Sequence, residues 1–512
     1  MGHRAPSGAS RTGLPAPTRG AAAAASARGS QPRPGVDPVR ASTPLSPEDL
    51  GFWYADQPRQ RIAMALLMLL DRRPDPQRLR GAALRAASAV PRLRQRIVDA
   101  PFDLALPRWE DDPTFDLDFH VRRYALSTPL PHEDELAALF RTLGPIYERP
   151  FDRSRPLWEM VEIDLPHDRS ALFFRLHHVV ADGVGGNAIL AALTDAEREG
   201  GEPLPAPSSK PPGAWSEPPL AERLARALRD RVEQEAGRAR SVASALWRTA
   251  RAPSEIATAA RVAASIVADA RHRSDSPLRH FGRARHLSGV ELPFAPLREA
   301  KRALGGQMID VMLTAAAGAV GRWHRDQGYG GLEELLTLVP INLRPPAEQG
   351  LAAGVGNRAT GIQLLLPMRI RDPRRRFREI HRRVAERKAH PATQLVPQIA
   401  ALLAALPRPV YRSLVFAGSQ AIGLIVTNVP GVPVVRYVGG AEITGAYPFA
   451  PVAPHCPVSI ALYGYRDRLY VGLDADGTAV PDVGDLAARL ADAFDELVAA
   501  SQGRGRGARA RG

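Results

Sequence analysis

The sequence predicts an α/β protein with mixed sheets, in which apolar strands alternate with helices in two successive halves. Short apolar runs such as Ile62–Leu70 and Ala171–Leu176 have the length of buried strands. Longer segments with helix-start signals lie between such runs. A stretch rich in Pro, Ser and Gly at residues 201–219 separates the two series. With 512 residues, the chain is long enough for two or more domains with substantial cores.

The elements of the first half follow from local signals. Ser46 precedes Pro47 and two acids, which is typical of a helix start. The pattern then predicts, in order, a strand over Ile62–Leu70, helices over Pro76–Val90 and Glu133–Leu143, and strands over Met160–Leu165 and Ala171–Leu176. Between the last helix and these strands stands Pro156-Leu157-Trp158, where the proline fixes a turn and the indole is expected to pack beneath a site.

The second half repeats the alternation. Its predicted helices are Met312–Trp323, a strongly basic one from Arg371 through Arg387, and Pro481–Ala499, and a further helix, Ser254–Ala270, is predicted in the segment that precedes this half. Its predicted strands are Leu338–Arg344, Arg358–Leu366, an apolar strand from Ile422, Pro448–Leu462 and Leu469–Asp476. After the strand from Ile422, the run Asn428-Val429-Pro430-Gly431 is expected to form a turn.

A basic amphipathic helix is predicted over Leu220–Ala250. Leu224, Leu228 and Val232 recur every four residues with arginines between them. Such a stripe lies on a membrane surface or packs against the protein, and packing is the commoner outcome. The sequence leaves both alternatives open.

The most informative stretch is HHVVADG, from His177 to Gly183. It follows a predicted buried strand and precedes a predicted helix, so a rigid element holds the imidazoles. A neutral imidazole with a pKa of about 6.5 can accept a proton from a hydroxyl or thiol near neutral pH. The alternative is a packed or metal-binding histidine pair, although no third ligand stands at zinc-site spacing.

HHxxxDG is the signature of the acyltransferase superfamily that includes chloramphenicol acetyltransferase and peptide-synthetase condensation domains. The surrounding motifs narrow the resemblance. The PLSPxD opening at Pro44, the Pro-Leu-Trp triplet ending at Trp158, the Gly-Asn pair at Asn357 and the Thr427-Asn-Val-Pro-Gly run all resemble the bacterial wax ester synthase/acyl-CoA:diacylglycerol acyltransferase family. The similarity runs over most of residues 44–495. One departure is Ile309 before Asp310, where the family usually has Asn-Asp.

This resemblance implies two chloramphenicol-acetyltransferase-like lobes with an active-site tunnel at their interface. It implies transfer of a long-chain acyl group from acyl-CoA, as co-substrate, to diacylglycerol or a long-chain alcohol, with no further cofactor and no metal. His178 would be the general base, His177 would position it, Asp182 would hold the turn, and Gly183 would let the backbone bend. Trp158 would support the site, and Asn428 and Thr427 are candidate oxyanion donors.

The sequence is also compatible with two other functions. One is a condensation- or polyketide-type acyltransferase that takes acyl groups from a carrier protein, although no carrier domain is seen in the chain. The other is a non-catalytic lipid-binding protein on the same scaffold, against which the intact HHVVADG argues. Release of CoA would distinguish catalysis from binding alone.

The charge of +14 lies largely in the terminal segments. Residues 1–43 contribute +5 and residues 501–512 contribute +4, and only three of the 68 basic residues are lysines. Nucleic-acid binding is disfavoured because no recognition motif accompanies the charge. Anionic lipid is the favoured polyanion. We therefore expect a cytoplasmic protein, peripheral on the inner face of the membrane or on lipid droplets. The single Cys456 suits a reducing compartment.

The expected domain organisation has five parts. A disordered basic extension (1–43) precedes an N-terminal lobe (44–200), a Pro-rich linker with amphipathic helices (201–285), a C-terminal lobe (286–500) and an Arg/Gly tail (501–512). No apolar run exceeds the nine residues of Ile62–Leu70, so the sequence predicts no transmembrane helix.

Overall fold

The computed structural model describes residues 42–57, 61–200, 216–251, 275–278, 282–342, 357, 359–389, 406, 408–419, 421–452 and 456–503. The predicted helix Ser254–Ala270 and nearly all of both terminal segments lie outside these residues. So does His455. The prediction of an α/β class with mixed sheets is confirmed: two six-stranded sheets and one three-stranded sheet are present in the described part of the chain.

The first large sheet carries the HHVVADG segment. Its strand order is β12-β13-β2-β7-β6-β5. These strands are β2 (Ala63–Leu70), β5 (Val121–Ala125), β6 (Trp158–Asp164), β7 (Ser170–His177), β12 (Tyr437–Val438) and β13 (Ala441–Phe449). All eight residues of β7 are buried, because β2 and β6 flank it and both of its faces are covered. β5 and β6 run parallel and the other pairs run antiparallel.

The second large sheet has the order β10-β9-β11-β14-β15-β8. Its strands are β8 (Arg285–Pro293), β9 (Glu334–Asn342), β10 (Ala359–Pro367), β11 (Leu424–Val432), β14 (Val458–Tyr465) and β15 (Arg468–Asp476). β11 is parallel to both of its neighbours. A separate small sheet joins β1 (Thr43–Pro44), β4 (Arg108–Asp111) and β3 (Gln95–Val98).

Residues 286–500, the expected C-terminal lobe, contribute strands to both large sheets. β12 and β13 come from its middle but belong to the first sheet, where Ala446 of β13 pairs with Met68 of β2. The predicted single strand Pro448–Leu462 is accordingly two strands, since β13 ends at Phe449 and β14 begins at Val458. A strand that passes from one lobe to the other cannot be recognised from a local apolar pattern, which is the same in either sheet.

The helices cover the sheets and line the boundary between them. Those of the first half are α1 (Pro47–Ala55), α2 (Pro76–Ala89), α3 (Leu117–His120), α4 (Glu135–Glu148), α5 (Gly183–Leu193) and α6 (Leu220–Arg251). Those of the second half are α7 (Phe294–Leu304), α8 (Met308–Asp326), α9 (Pro373–Ala389), α10 (Arg408–Ser419) and α11 (Val483–Ser501). Ser46 caps α1 as predicted, accepting a hydrogen bond from the backbone N–H of Asp49. No single described helix has both the length and the apolar content needed to cross a membrane, and α7 with α8 qualifies only as a pair bent by 100°.

The predicted turn at Asn428–Gly431 is wrong, because these residues lie inside β11. Residues 425–429 pair in parallel with β14, and a bulge follows between Val429 and Val432. Pro430 has no N–H to donate, so the ladder is interrupted at a bulge rather than ended. Gly431 is required there, since a Cβ on it would lie 1.5 Å from the carbonyl oxygen of Gly464.

His324 on α8, which does not line the cavity, is expected to make the stability of the fold depend on pH. It is fully buried, with Nε2 2.7 Å from the Ser276 hydroxyl and Nδ1 2.8 Å from the Val320 carbonyl. Burial lowers the pKa of His324 to about 4. The unfolded chain, with a histidine pKa of about 6.5, therefore binds the extra proton first. Because of His324, the free energy of unfolding is about 3 kcal/mol higher above pH 6.5 than at about pH 4. This difference is lost progressively as the pH falls between those values.

Denaturant unfolding between pH 7.5 and 4.5 should show this loss, and it should be smaller in His324→Gln, which does not titrate. An equal loss in both proteins would contradict the assignment to His324.

Candidate active site

The HHVVADG segment is a turn held between neighbouring strands. β7 ends at His177, whose backbone N–H donates to the carbonyl of Leu157 at 2.9 Å. The N–H of His178 donates to the carbonyl of Ile62, just before β2, at 2.8 Å. The next residues turn the chain into α5, which begins at Gly183. Both histidines therefore have backbones fixed by the first sheet, as expected for a site at a strand end.

His177 points into the protein. Its Nδ1 accepts a hydrogen bond from the N–H of Val179 at 3.1 Å, and its Nε2 lies 3.9 Å from a carboxylate oxygen of Asp56. Burial lowers the pKa of His177 to about 4, so the ring is neutral at physiological pH. Because Nδ1 accepts, the proton of the neutral ring is on Nε2. The lone pair on Nδ1 of His177 is thus occupied by the Val179 N–H and is not available to a substrate.

His178 faces the other way, into a cavity. Its ring stacks on Phe52 of α1 with centroids 4.1 Å apart, and its Nδ1 lies 3.2 Å from Oδ1 of Asn357. Burial lowers the pKa of His178 below its usual value, while Asp182 and the contact with Asn357 act in the opposite direction. A lowered pKa keeps the imidazole neutral near pH 7, which is the form that accepts a proton.

Asn357 determines which nitrogen of His178 carries the proton. Its Nδ2 faces three acceptors, Oδ1 of Asp49 at 2.8 Å and the carbonyls of His178 and Val179 at 3.0 and 3.3 Å. The amide oxygen must therefore be the atom that faces His178, and it can only accept. His178 consequently donates from Nδ1, and Nε2 is left with a lone pair.

An ion pair holds Asn357 in this orientation. The carboxylate of Asp49, on α1, is fully buried and forms a salt bridge of 2.8 Å with Arg92. Arg92 also donates to the carbonyls of Val179 and Val180 at 3.1 Å each. One arginine therefore ties α1 to the HHVVADG turn. Residues far apart in the chain meet at one imidazole.

Asp182 and Gly183 form the start of α5. Asp182 is the N-cap residue, and its Oδ1 accepts from the N–H of Gly185 at 2.8 Å. A Cβ on Gly183 would lie 2.7 Å from a methyl carbon of Val429 on β11. The backbone of Gly183 is helical, without a positive φ. Of the two roles that a glycine can have here, a bend of the backbone or a close approach that a Cβ would forbid, the contact with Val429 supports the second. The absence of a side chain lets α5 approach the second sheet.

Trp158 lies beneath the site rather than in it. It is the first residue of β6 and is buried, with its indole N–H donating to the carbonyl of Leu93 at 2.8 Å. Its ring stacks on His120 at 4.5 Å, and Nδ1 of His120 lies 2.8 Å from the Trp158 carbonyl. Burial lowers the pKa of His120 as well. His120 is thus packed against Trp158 in the core and does not line the cavity.

The cavity has a volume of about 1150 Å³ and lies between the two large sheets. The first sheet contributes apolar side chains from β2, β7 and β13, and the second contributes residues of β9, β10 and β11. Thr427 and Asn428 of β11 also line it, and the Asn428 side chain is exposed. Among the described residues, neither forms a hydrogen bond with the His178 side chain. Ile309, which replaces the usual Asn of the family, is a lining residue too.

This cavity lies at the predicted interface of the two lobes. Its lining can hold a long apolar chain beside one neutral imidazole with a free Nε2. Among the described residues there is no group of three or more His, Cys, Asp or Glu side chains that could bind a metal ion. The arrangement can remove a proton from a hydroxyl in an apolar surrounding.

Four residues of this site are not predicted from the sequence. Asn357 stands out there only as part of a Gly-Asn pair, and Phe52 only as a residue near the aromatic of the PLSPxDxxF opening. Asp49 and Arg92 carried no signal except the helix start around Ser46. Asp310, which follows Ile309 near the start of α8, takes part in a capping box, and its carboxylate lies 2.8 Å from Nδ1 of His381.

Comparison with known proteins identifies the family. The wax ester synthase/diacylglycerol acyltransferase catalytic domain matches residues 45–312, and the WS/DGAT C-terminal domain matches residues 355–498. A Mycobacterium tuberculosis protein that carries the name of a diacylglycerol O-acyltransferase is 31% identical over 476 residues, which cover 91% of this chain and 93% of that protein. A second such protein from M. tuberculosis is 28% identical over 473 residues and covers 90% and 96%.

Solved structures show the same fold. A wax ester synthase/diacylglycerol acyltransferase from Marinobacter aquaeolei VT8 superposes with a TM-score of 0.61 at 20% identity, covering 90% of this chain and all of that one. The first condensation domain of the calcium-dependent antibiotic synthetase superposes with a TM-score of 0.56 at 17% identity, covering 90% and 96%. The expected two-lobed fold is confirmed. With both family domains matched along most of its length, this chain belongs to the wax ester synthase/diacylglycerol acyltransferase family.

Proposed function

We propose that this enzyme transfers a long-chain acyl group from acyl-CoA to the hydroxyl of diacylglycerol or a long-chain alcohol, with His178 as the general base. The observation that carries the proposal is the imidazole of His178 in the wall of an apolar cavity, with Nδ1 held by Asn357 and Nε2 free. As the hydroxyl oxygen attacks the thioester carbon, Nε2 takes its proton.

The reaction needs no covalent intermediate on the protein. The new C–O bond forms and the C–S bond breaks, and the CoA thiolate leaves with the proton that His178 received. His178 returns to its neutral form with Nδ1–H intact. The developing oxyanion requires hydrogen-bond donors, and Asn428 and Thr427 remain the candidates because they line the same cavity.

The direct test uses purified protein with palmitoyl-CoA and separate acceptors: dioleoylglycerol, hexadecanol and a sterol. Release of CoA together with an ester that contains the acceptor supports the proposal, and the acceptor panel distinguishes triacylglycerol from wax ester synthesis. Acyl transfer only from a carrier-protein thioester would favour a condensation-type enzyme. Lipid binding without release of CoA would favour a non-catalytic protein.

The cavity also suggests where the anionic end of acyl-CoA binds. Of the described residues that line it, Lys388 is the only lysine or arginine, although the chain has 68 such residues. Its side chain is exposed, and its Nζ donates to Oε1 of Gln307 at 2.7 Å. Glu48 and Asp182 are the acidic lining residues. We propose that Lys388 attracts the phosphates of CoA while the acyl chain occupies the apolar interior.

The geometry of α9 is consistent with this role. Arg383 donates to the carbonyl of Leu365, so α9 returns alongside β10, and Lys388 lies about 7 Å further toward the start of that strand. Lys388 and His178 line the same cavity, so a pantetheine arm that begins at Lys388 can lead to the imidazole through it.

Lys388→Ala should raise the KM for palmitoyl-CoA roughly threefold to tenfold and leave kcat nearly unchanged. The KM for palmitoyl-pantetheine, which lacks the phosphates, should not change. Lys301→Ala, which removes a lysine on α7 away from the cavity, is the control. Equal changes with both thioesters would contradict the role of Lys388 in binding phosphate.

For localisation, we propose a cytoplasmic protein that is peripheral on the inner face of the membrane or on lipid droplets. The water-insoluble acceptors and the basic composition support this. The terminal segments on which part of that expectation rested lie outside the described residues.

A further inference from the structure

Exposed apolar side chains are concentrated on one part of the molecule. The described residues expose nine large apolar side chains, and seven of them lie on or beside three elements. These seven are Leu220, Leu228 and Val232 of α6, Phe102 in the turn Pro101–Asp103, and Leu406, Val410 and Leu414 at α10. We call them the apolar face. The other two, Leu130 and Val434, lie elsewhere.

The turn touches both helices. Oε1 of Gln234 on α6 accepts from the N–H of Leu106, which follows the turn, at 3.3 Å. Arg408 of α10 forms a salt bridge of 3.2 Å with Asp103 of the turn. The turn therefore connects α6 with α10, and the seven side chains belong to neighbouring elements rather than to scattered positions.

α6 has an inverted pattern of burial. Ala227 is its buried apolar residue, with Asp230 and Gln234 half-buried on the same face, whereas Leu228 and Val232 are 55% and 69% exposed. A helix of a soluble domain normally buries its larger apolar side chains. Of the two alternatives that the sequence leaves open for the stripe of Leu224, Leu228 and Val232, packing against the protein does not hold for the last two, whose side chains are mostly exposed in the part of the chain that the structure describes.

Phe102 is held outward by its backbone. It is 81% exposed and has a φ of 56°, a left-handed conformation that bulky residues rarely adopt. Such strain persists where the surrounding structure imposes it, and it suggests a functional reason for the conformation. The turn presents the largest apolar side chain of the apolar face to the outside.

The apolar face adjoins the cavity. Tyr411 of α10 is buried and lines the cavity, while Val410 and Leu414 of the same helix face outward. A molecule bound on the outside of α10 is therefore about one helix diameter, roughly 10 Å, from the cavity. Exposed arginines, among them Arg229 and Arg412, lie beside the apolar side chains, and Arg231 forms an ion pair of 2.9 Å with Glu235.

We propose that the apolar face is the surface by which this enzyme docks on an anionic lipid layer. Apolar side chains interspersed with arginines match the boundary between acyl chains and negatively charged headgroups. The inference rests on the proposed function, since a diacylglycerol or long-chain alcohol is dissolved in that layer. Docking through α10 brings the source of the acceptor next to the cavity that contains His178.

The test compares two full-length variants. One replaces five members of the apolar face, as Phe102→Asn, Leu228→Gln, Val232→Gln, Val410→Gln and Leu414→Gln, where asparagine tolerates the left-handed backbone and glutamine the helices. The control replaces the two exposed residues outside it, as Leu130→Gln and Val434→Gln, which are 56% and 53% exposed. Binding to vesicles of phosphatidylglycerol and phosphatidylcholine is measured by flotation, and acyl transfer to soluble hexanol is measured in parallel.

We expect the five-residue variant to lose at least tenfold in vesicle partitioning, since each fully buried leucine or valine contributes about a factor of ten or more. The control should bind like the unaltered protein, and both should acylate hexanol at the unaltered rate. Equal vesicle binding by all three proteins would overturn the inference. So would a change from dimer to monomer in sedimentation without a change in vesicle binding, because the face would then bind a second copy. No transfer to any acceptor by the unaltered protein would instead contradict the proposed function.

Discussion

His178→Ala is expected to reduce acyl transfer from palmitoyl-CoA by roughly 100- to 10,000-fold while the protein remains folded. The loss is large because Nε2 of His178 is the one free imidazole nitrogen seen at the cavity among the described residues. The fold should tolerate the change, since the ring projects into a cavity and its removal opens no new void in a core. The measurement is the steady-state release of CoA, with thermal unfolding recorded on the same preparations.

His177→Ala is the matched comparison, because the two histidines are adjacent and both lie on the strand end. Here the N–H of Val179 loses its acceptor and a buried space opens, so the variant should lose more stability and less activity. Near-wild-type turnover in a folded His178→Ala protein would exclude the general-base role.

The dependence of the rate on pH has a definite sign. Burial lowers the pKa of His178 below its usual value, and the neutral form is the active one. The rate should therefore be constant around pH 7 and fall only as the pH drops through a value below 6.5. This fall in rate on the acid side, the acid limb of the pH profile, is the reference for the Asn357→Ala variant.

Asn357→Ala is expected to lower kcat roughly 10- to 100-fold, with little change in the KM for acyl-CoA. Without the amide oxygen, Nδ1–H of His178 loses its acceptor, and the proton of the neutral ring can move to Nε2, where it blocks proton acceptance. The same contact favours the protonated ring, so its removal should move the acid limb of the rate to lower pH. Rate and pH profile are measured together.

A purely structural role of Asn357 would lower the melting temperature and leave the pH profile unchanged, and that result would contradict the positioning role. Asn428→Ala is the control for loss of a cavity amide without contact to His178. It should leave the acid limb in place whether or not it reduces kcat. The unfolding of Asn357→Ala is recorded because Asp49 also loses a hydrogen-bond donor.

The sequence by itself determined the fold class, the place of the HHVVADG motif and the order of most elements. These features depend on local patterns: apolar runs of strand length, the cap at Ser46, and a pair of histidines between a strand and a helix. It also placed Trp158 correctly beneath the site, because a large indole at the start of a buried strand packs in the core whatever lies beyond it.

Only the tertiary structure decided which nitrogen of His178 is free. Asn357 is 179 residues from His178 and 308 from Asp49 along the chain, and no local pattern predicts that such side chains meet. The same holds for β13, which joins the first sheet although it lies in the second half, and for Asn428, which lies in a bulged strand rather than a turn. Hydrogen bonds between distant side chains, strand order and the outward face of α6 follow from how the elements pack. Periodicity fixes which residues share a face, but not what that face contacts.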